Sequence, residues 1–121
     1  MIKKTKVDQN EKVAIIWSRT SAKEPAEREK SLEMQKKACR EYARQHNIRV
    51  INHYANDDER AEVGCELFKV VAMQVAANDN EVNTILVSSF DRCSRVKNET
   101  IDIRQYLKPF GISIISVNQP T

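Results

Sequence analysis

Two short polar segments place a hydroxyl group and several guanidinium groups directly after apolar runs of strand length. Ser18-Arg19-Thr20-Ser21 follows the first run, and Asp91-Arg92-Cys93-Ser94-Arg95 follows a later one. A guanidinium keeps its charge and presents a rigid fork of donors that matches phosphate oxygens. The three arginines of these segments, if gathered around Ser21, would stabilise the negative charge that develops during phosphoryl transfer. The chemistry indicated is attack by a serine hydroxyl on a phosphodiester.

Each of these features also has an ordinary structural explanation. A serine after a strand usually caps or closes a loop, and an Asp-Arg pair in a loop is usually a local ion pair. Gln35, on the apolar face of a predicted helix, is more often a hydrogen-bonded core residue than a site residue. The chemical interpretation therefore depends on the fold bringing the two segments to one edge of a sheet.

Other common chemistries lack their residues in these segments. An ester hydrolase needs a histidine base, whereas His46 falls at the end of a predicted helix and His53 within a predicted strand. The sequence contains no G-x-S-x-G elbow and no glycine-rich phosphate loop. Cys39, Cys65 and Cys93 are widely spaced, which favours neither a disulfide framework nor a zinc site. We expect no metal, no nucleotide and no other cofactor.

Apolar runs and helical periodicity predict the elements that position these residues. Strands are predicted at residues 13–17, 48–54, 84–90 and 112–117. Helices are predicted between them, which gives the order β-α-β-α-β-α-β. This order predicts an α/β three-layer sandwich, with a mainly parallel sheet of about four to five strands and helices on both faces. Ligands of such sheets bind beyond the carboxyl ends of the strands, where both polar segments should open.

The first predicted helix follows a long loop at residues 18–30 and runs from a cap at Ser31 to about His46. Its apolar face contains Leu32, Cys39, Tyr42 and Ala43, and Gln35 shares that face. The second predicted helix is marked by Leu67, Val70, Val71 and Val75. The third spans residues 98–108, carries Ile103, Tyr106 and Leu107, and ends at Pro109 and Gly111.

Length and composition fit one domain in the cytoplasm. The 121 residues are 40% hydrophobic and 31% charged, enough for one modest core. Residues 1–11 are interpreted as a flexible N-terminal leader and residues 12–121 as a single catalytic domain. No apolar run approaches the roughly 20 residues that cross a bilayer, and the run at residues 13–17 is too short for the core of a signal peptide. A net charge of +3 by itself says little about nucleic-acid binding.

Three motifs and their order resemble the resolvase/invertase family of serine site-specific recombinases. The family's Tyr-x-Arg-x-Ser signature reads Trp17-Ser18-Arg19-Thr20-Ser21 here, with tryptophan in place of tyrosine. Its Ser-Leu-x-x-Gln signature reads Ser31-Leu32-Glu33-Met34-Gln35, and its Asp-Arg-x-x-Arg signature reads Asp91-Arg92-Cys93-Ser94-Arg95. The closing Ser116-Val117-Asn118-Gln119-Pro120 is also similar. The resemblance covers residues 13 to 120.

The resemblance implies an enzyme that cleaves and rejoins DNA. Ser21 would attack a DNA phosphate to form a 5′-phosphoserine linkage and release a 3′-hydroxyl. Asp91 would orient the arginines and assist proton transfer, and Gln35 would support the site from the first helix. The arginines that would bind and polarise the phosphate are Arg19, Arg92 and Arg95. The resemblance further implies DNA as partner, a homodimer or homotetramer for the full-length protein, and no need for a metal or ATP.

The sequence also departs from the family pattern in ways that favour a second hypothesis. The family has an Arg-Pro pair before the second helix, and this pair is missing from residues 56–64. Arg60 is the nearest arginine that could replace it at the phosphate, and it is equally well explained as a solvated loop charge. The acidic residues 57–59 do not favour DNA binding. The chain ends at Thr121 without the family's dimerisation helix and DNA-binding domain, so we expect weak sequence-specific DNA binding. The alternative is a catalytically impaired DNA- or phosphate-binding or regulatory module. The hypothesis of a receiver-like signalling domain rests on the predicted fold alone, and we rank it below the recombinase and the binding module.

Overall fold

A parallel sheet forms the centre of the molecule in the computed structural model, which describes residues 11–56, 66–77, 81–94 and 96–118. Within these residues the sheet has four strands, in the spatial order β2-β1-β3-β4, and every neighbouring pair is parallel. The strands are β1 (Lys12–Arg19), β2 (Ile48–Asn56), β3 (Thr84–Val87) and β4 (Ser113–Ser116). The predicted α/β class with a parallel sheet is confirmed.

Helices cover both faces of this sheet, and this completes the predicted three layers. They are α1 (Pro25–Gln45), α2 (Glu66–Ala77) and α3 (Lys97–Leu107). Helix α1 packs on one face, and α2 and α3 pack on the other. Two short 3₁₀ turns, at Phe90–Arg92 and Lys108–Phe110, lie in the connections.

The central strand β1 contributes to two separate apolar clusters. Side chains alternate between the faces of a strand, so its consecutive apolar residues divide between the two sides. The cluster under α1 contains Ala14, Ile16, Cys39, Ala43, Ile48 and Leu86. The cluster under α2 and α3 includes Val13, Ile15, Trp17, Phe68, Val71, Ile85, Val87 and Leu107. Burial on both faces explains why β1 reads as a continuous apolar run.

The prediction that residues 18–30 form a long loop was wrong. Strand β1 continues to Arg19, and α1 begins at Pro25, six residues before the predicted cap at Ser31. Proline suits the first helical position because its fixed φ matches the helix and its missing N–H needs no partner there. The first turns of α1 are mostly exposed, so they carry no apolar periodicity. Ser31 lies inside the helix, where its Oγ accepts a hydrogen bond from Gln35 Nε2 at 3.1 Å.

Three smaller predictions also need correction. Val70 and Tyr106, predicted on core faces, are 47% and 46% exposed. Strand β3 ends at Val87 rather than at residue 90, because the chain turns into the 3₁₀ segment Phe90–Arg92. The side chains that α2 and α3 bury are Phe68, Val71, Ala72, Val75, Ile103 and Leu107.

The strand order creates a crevice at the carboxyl ends of β1 and β3. The chain leaves β1 through α1 to reach β2 on one side, and later returns to β3 on the other side of β1. Open α/β sheets bind their ligands at such a switch point, because the helices that flank it leave in opposite directions. The segments that follow β1 and β3 carry the residues singled out in the sequence. No helix within the described residues is long and apolar enough to cross a membrane.

Candidate functional site

Three hydrogen bonds join the end of β1 to the 3₁₀ turn after β3. Arg19 Nη1 donates to the Asp91 carbonyl at 3.1 Å, and Arg92 Nη1 donates back to the Arg19 carbonyl at 3.3 Å. Trp17 Nε1 donates to the Arg92 carbonyl at 2.9 Å. The structure thus brings together two guanidinium groups whose residues are 73 positions apart in the sequence.

Gln35 holds the backbone of Arg19 from the side of α1. Its Oε1 accepts the Arg19 N–H at 3.0 Å, and its Nε2 donates to the Arg19 carbonyl at 2.9 Å. Gln35 is 4% exposed and Arg19 is 3% exposed. Buried backbone groups need partners, and this amide supplies one to each polar group of the last residue of β1. Gln35 therefore acts on the site through the position of Arg19.

Arg92 is half-buried, and its guanidinium has capacity left for an anion. Its Nε atom is buried without a hydrogen-bond partner among the described residues. Nor does any carboxylate in the described part of the chain form an ion pair with it. A buried, unsatisfied donor on a charged group is unfavourable, so the Arg92 side chain is held here at an energetic cost.

Asp91 contributes to the site through its main chain. Its carbonyl accepts the Arg19 guanidinium, while its exposed carboxylate accepts a hydrogen bond from Ser89 Oγ. The turn itself is closed by the Arg92 N–H, which donates to the Ser89 carbonyl at 3.0 Å. The Asp91 side chain thus braces the turn from its exposed side.

Ser21 is half-buried and lies two residues beyond the end of β1, at the same edge of the sheet. The neighbouring backbone is fixed on both sides. Thr20 N–H donates to the Asn56 carbonyl at 3.1 Å, and Ala22 N–H donates to Thr20 Oγ1 at 3.2 Å. Arg28 of α1 donates to the Ala22 carbonyl at 3.3 Å. The sequence analysis missed Arg28, whose role depends on α1 beginning before Ser31.

A groove of about 670 Å³ opens beside Arg92, between α1 and the carboxyl ends of β3 and β4. Lys30 and Arg92 supply positive charge to it, Glu27 supplies one negative charge, and Ser88 and Asn118 supply hydrogen-bonding groups. Met34, which is 62% exposed, adds an apolar wall. The groove therefore has a polar, mixed-charge lining beside one apolar wall.

His53 approaches β1 on the α1 side, although the sequence places it far from both polar segments. Its Nε2 lies 3.2 Å from Oγ of the fully buried Ser18. Burial lowers the pKa of His53, and the nearby charges of Lys36 and Arg40 lower it further. Burial and these positive charges therefore favour the neutral imidazole, which contacts Ser18, the neighbour of Arg19 in sequence.

The thiol of Cys39 is buried in the core under α1. Burial raises the pKa of Cys39 to about 12, which leaves its thiol protonated and unreactive. Among the described residues, no group of three or more histidines, cysteines or carboxylates could hold a metal ion. Arg60 and Arg95, both singled out in the sequence, lie outside the described residues, as do residues 1–10 of the expected leader.

Comparison with known proteins agrees with this architecture. The family described as "Resolvase, N terminal domain" matches residues 14–121, and the chain belongs to it. The catalytic domain of TP901-1 integrase is 23% identical with a TM-score of 0.74, over 88% of this chain and 79% of that one. A resolvase family site-specific recombinase from Streptococcus pneumoniae is 19% identical with a TM-score of 0.76, over 92% and 75%. The C-terminal catalytic domain of ISC1926 TnpA, an IS607-like serine recombinase, is 19% identical with a TM-score of 0.65, over 90% and 72%. A comparison with curated protein sequences found no match.

The class of protein follows from these results. The fold is that of the catalytic domain of serine recombinases, the enzymes of site-specific recombination.

Proposed function

We propose that this domain cleaves and rejoins DNA through a phosphoserine intermediate. Ser21 Oγ gives up its proton, attacks the phosphorus of a DNA phosphodiester and forms an ester bond to the 5′-phosphate. The bond from phosphorus to the 3′-oxygen breaks, and that oxygen takes up a proton and leaves as a 3′-hydroxyl. Attack by the 3′-hydroxyl of another strand reverses the step, reseals the DNA and frees Ser21. One phosphate ester replaces another at each step, so the reaction consumes no high-energy cofactor.

The paired arginines are the observation that supports this proposal. Arg19 and Arg92 hydrogen-bond to each other's segments at the edge of the sheet where Ser21 lies. Two fixed guanidinium groups stabilise the extra negative charge of the transition state without reorganising during the reaction. The sequence makes Arg95 and Arg60 further candidates for phosphate contacts. Gln35 would support the site by holding Arg19.

DNA is the proposed partner, and the groove beside Arg92 is its proposed path. A strand lying in it would meet Lys30 and Asn118 on its way to the paired arginines. Phosphate contacts of this kind give affinity that falls with salt and does not depend on sequence. Dimers or tetramers of the full-length protein would supply the second strand for rejoining.

Trapping of the covalent intermediate tests the proposal. Cells expressing the chain are lysed in denaturant, DNA-linked protein is isolated and digested, and mass spectrometry locates the residue that carries a phosphodeoxynucleotide. We expect the modification on Ser21 and its loss in Ser21→Ala. Ser18→Ala is the matched control, because Ser18 is fully buried against His53 and should leave the adduct in place.

The opposite result identifies the alternative function. An adduct that persists in Ser21→Ala contradicts the assignment of the nucleophile. Absence of any adduct, combined with phosphate binding that depends on Arg92, favours a module that binds DNA or phosphate without cleaving it.

A further inference from the structure

We infer that Trp17 is a positioning residue that holds Arg92 for the phosphate, an inference that rests on the proposed function of Arg92. Trp17 occupies the position where the family signature has tyrosine, and the chain has no other tryptophan. Its indole is fully buried, and Nε1 donates to the Arg92 carbonyl at 2.9 Å. The contact joins the central strand to the backbone of Arg92, a residue that lines the groove.

The orientation of the indole is set by the core rather than by the site. The Trp17 ring packs against Phe68 of α2, with ring centroids 5.3 Å apart and an interplanar angle of 51°. Both rings belong to the cluster under α2 and α3. A tilted aromatic pair inside a close-packed core restricts rotation of the indole, so its N–H points in one direction.

The bond to Trp17 completes the set of contacts that immobilises the turn. The carbonyls of Ser89 and Phe90 accept backbone N–H groups from Arg92 and Cys93, each at 3.0 Å. The Asp91 carbonyl accepts the Arg19 guanidinium, and the Arg92 carbonyl accepts the indole. Trp17 thus donates to the carbonyl of Arg92, the last residue of the turn.

A phenylalanine at this position would fill much of the same space without a donor. The indole Nε1 is a hydrogen-bond donor only, so its partner has to be an acceptor such as the Arg92 carbonyl. Loss of the donor leaves the peptide between Arg92 and Cys93 held by the Cys93 N–H without the indole, so the Arg92 backbone can shift and the guanidinium has to be ordered when the phosphate binds. The expected consequence is weaker phosphate binding in a domain that is still folded.

The experiment uses inorganic phosphate as the probe and the backbone amides of residues 89–93 as the reporters, because these amides are present in every variant. A phosphate titration of a ¹⁵N-labelled sample should shift their resonances and give the dissociation constant. We expect Trp17→Phe to raise the dissociation constant for phosphate about 3- to 10-fold, the range for loss of one hydrogen bond. The benzothiophene isostere of tryptophan, which has sulfur in place of the N–H, should give the same loss while preserving the core.

Two further variants separate positioning from general stability. Val75→Ala removes volume from the same core cluster but keeps the Trp17–Phe68 pair and the indole donor, so its phosphate affinity should stay within about 2-fold of the wild type. In an Arg92→Ala background, Trp17→Phe should cause no further loss, because the effect of Trp17 passes through Arg92.

The inference is overturned if the isostere binds phosphate as tightly as the wild type, or if Trp17→Phe weakens binding equally in the Arg92→Ala background. Absence of Arg92-dependent phosphate binding in the wild type also overturns it. None of these measurements needs DNA cleavage. A missing Ser21 adduct would therefore count against the proposed reaction and leave this inference standing.

Discussion

At the scale of single residues, Gln35 shows how one side chain can replace a neighbouring strand. Its amide pairs with both backbone groups of Arg19, and its Nε2 also donates to Ser31 Oγ. Both backbone polar groups of Arg19, the last residue of β1, therefore have partners, as they would in a paired strand. Since Arg19 in turn binds the Asp91 carbonyl, the amide of Gln35 supports the whole contact between the two polar segments.

Replacement of the Gln35 amide should lower the stability of the domain. Gln35→Leu keeps the volume but removes the amide that accepts the Arg19 N–H and one of the two donors to the Arg19 carbonyl, so we expect a loss of about 1–3 kcal/mol in the free energy of unfolding. Urea denaturation followed by circular dichroism measures this loss. Met34→Leu, at the exposed neighbouring position, should change the unfolding free energy by less than about 0.5 kcal/mol. Equal stability of the two variants would contradict the role given to Gln35.

At the scale of elements, the turn between α1 and β2 depends on one left-handed residue. Asn47 has a φ of 56°, directly after the C-cap His46, whose N–H donates to the Tyr42 carbonyl at 3.0 Å. Asparagine is among the few residues other than glycine that tolerate this conformation. The turn lets Ile48 begin β2 beside Lys12, so it sets the register of the pair.

Substitutions at Asn47 should follow backbone preference alone. Asn47→Gly should raise the free energy of unfolding by up to about 1 kcal/mol, and Asn47→Val should lower it by about 1–2 kcal/mol. Thermal unfolding monitored by circular dichroism provides the comparison. Gly111→Ala is a useful control, because φ is 74° there and an added Cβ meets no atom within 4 Å, so only backbone strain acts. A destabilised Asn47→Gly would show that the asparagine side chain matters instead.

At the scale of the whole molecule, β1 joins two cores that lie on opposite faces of the sheet. Ile16 belongs to the cluster under α1, whereas its neighbour Trp17 belongs to the cluster under α2 and α3. Neither layer can unfold fully without exposing one face of the central strand. The two cores should therefore unfold as one cooperative unit.

A substitution in one core should consequently be detected in the other. We expect Ile16→Ala to lower the unfolding free energy by about 2–5 kcal/mol. Trp17 fluorescence and far-ultraviolet circular dichroism should report the same shifted midpoint, although Trp17 lies on the opposite face. Ile51→Ala, at an exposed position of β2, is the control and should shift the midpoint little. Separate midpoints for the two signals would show that the layers unfold independently.

The sequence by itself determined the class of fold and the identity of the candidate residues. Strand β1 and the face of α1 that contains Gln35, Cys39 and Ala43 follow from periodicity, which is a local property that the backbone imposes on neighbouring side chains. The start of α1 was missed because its first turns bury little and so leave no periodic signal.

The tertiary structure alone decided which groups meet. Three contacts depend on the strand order β2-β1-β3-β4. They are the bond from Trp17 to the Arg92 carbonyl, the bond from Arg19 to the Asp91 carbonyl, and the approach of His53 to Ser18. Two of these contacts end on backbone carbonyls, which every residue possesses, so residue types do not reveal them. Contacts between distant segments arise from strand order and register, and these are settled by the packing of all layers at once.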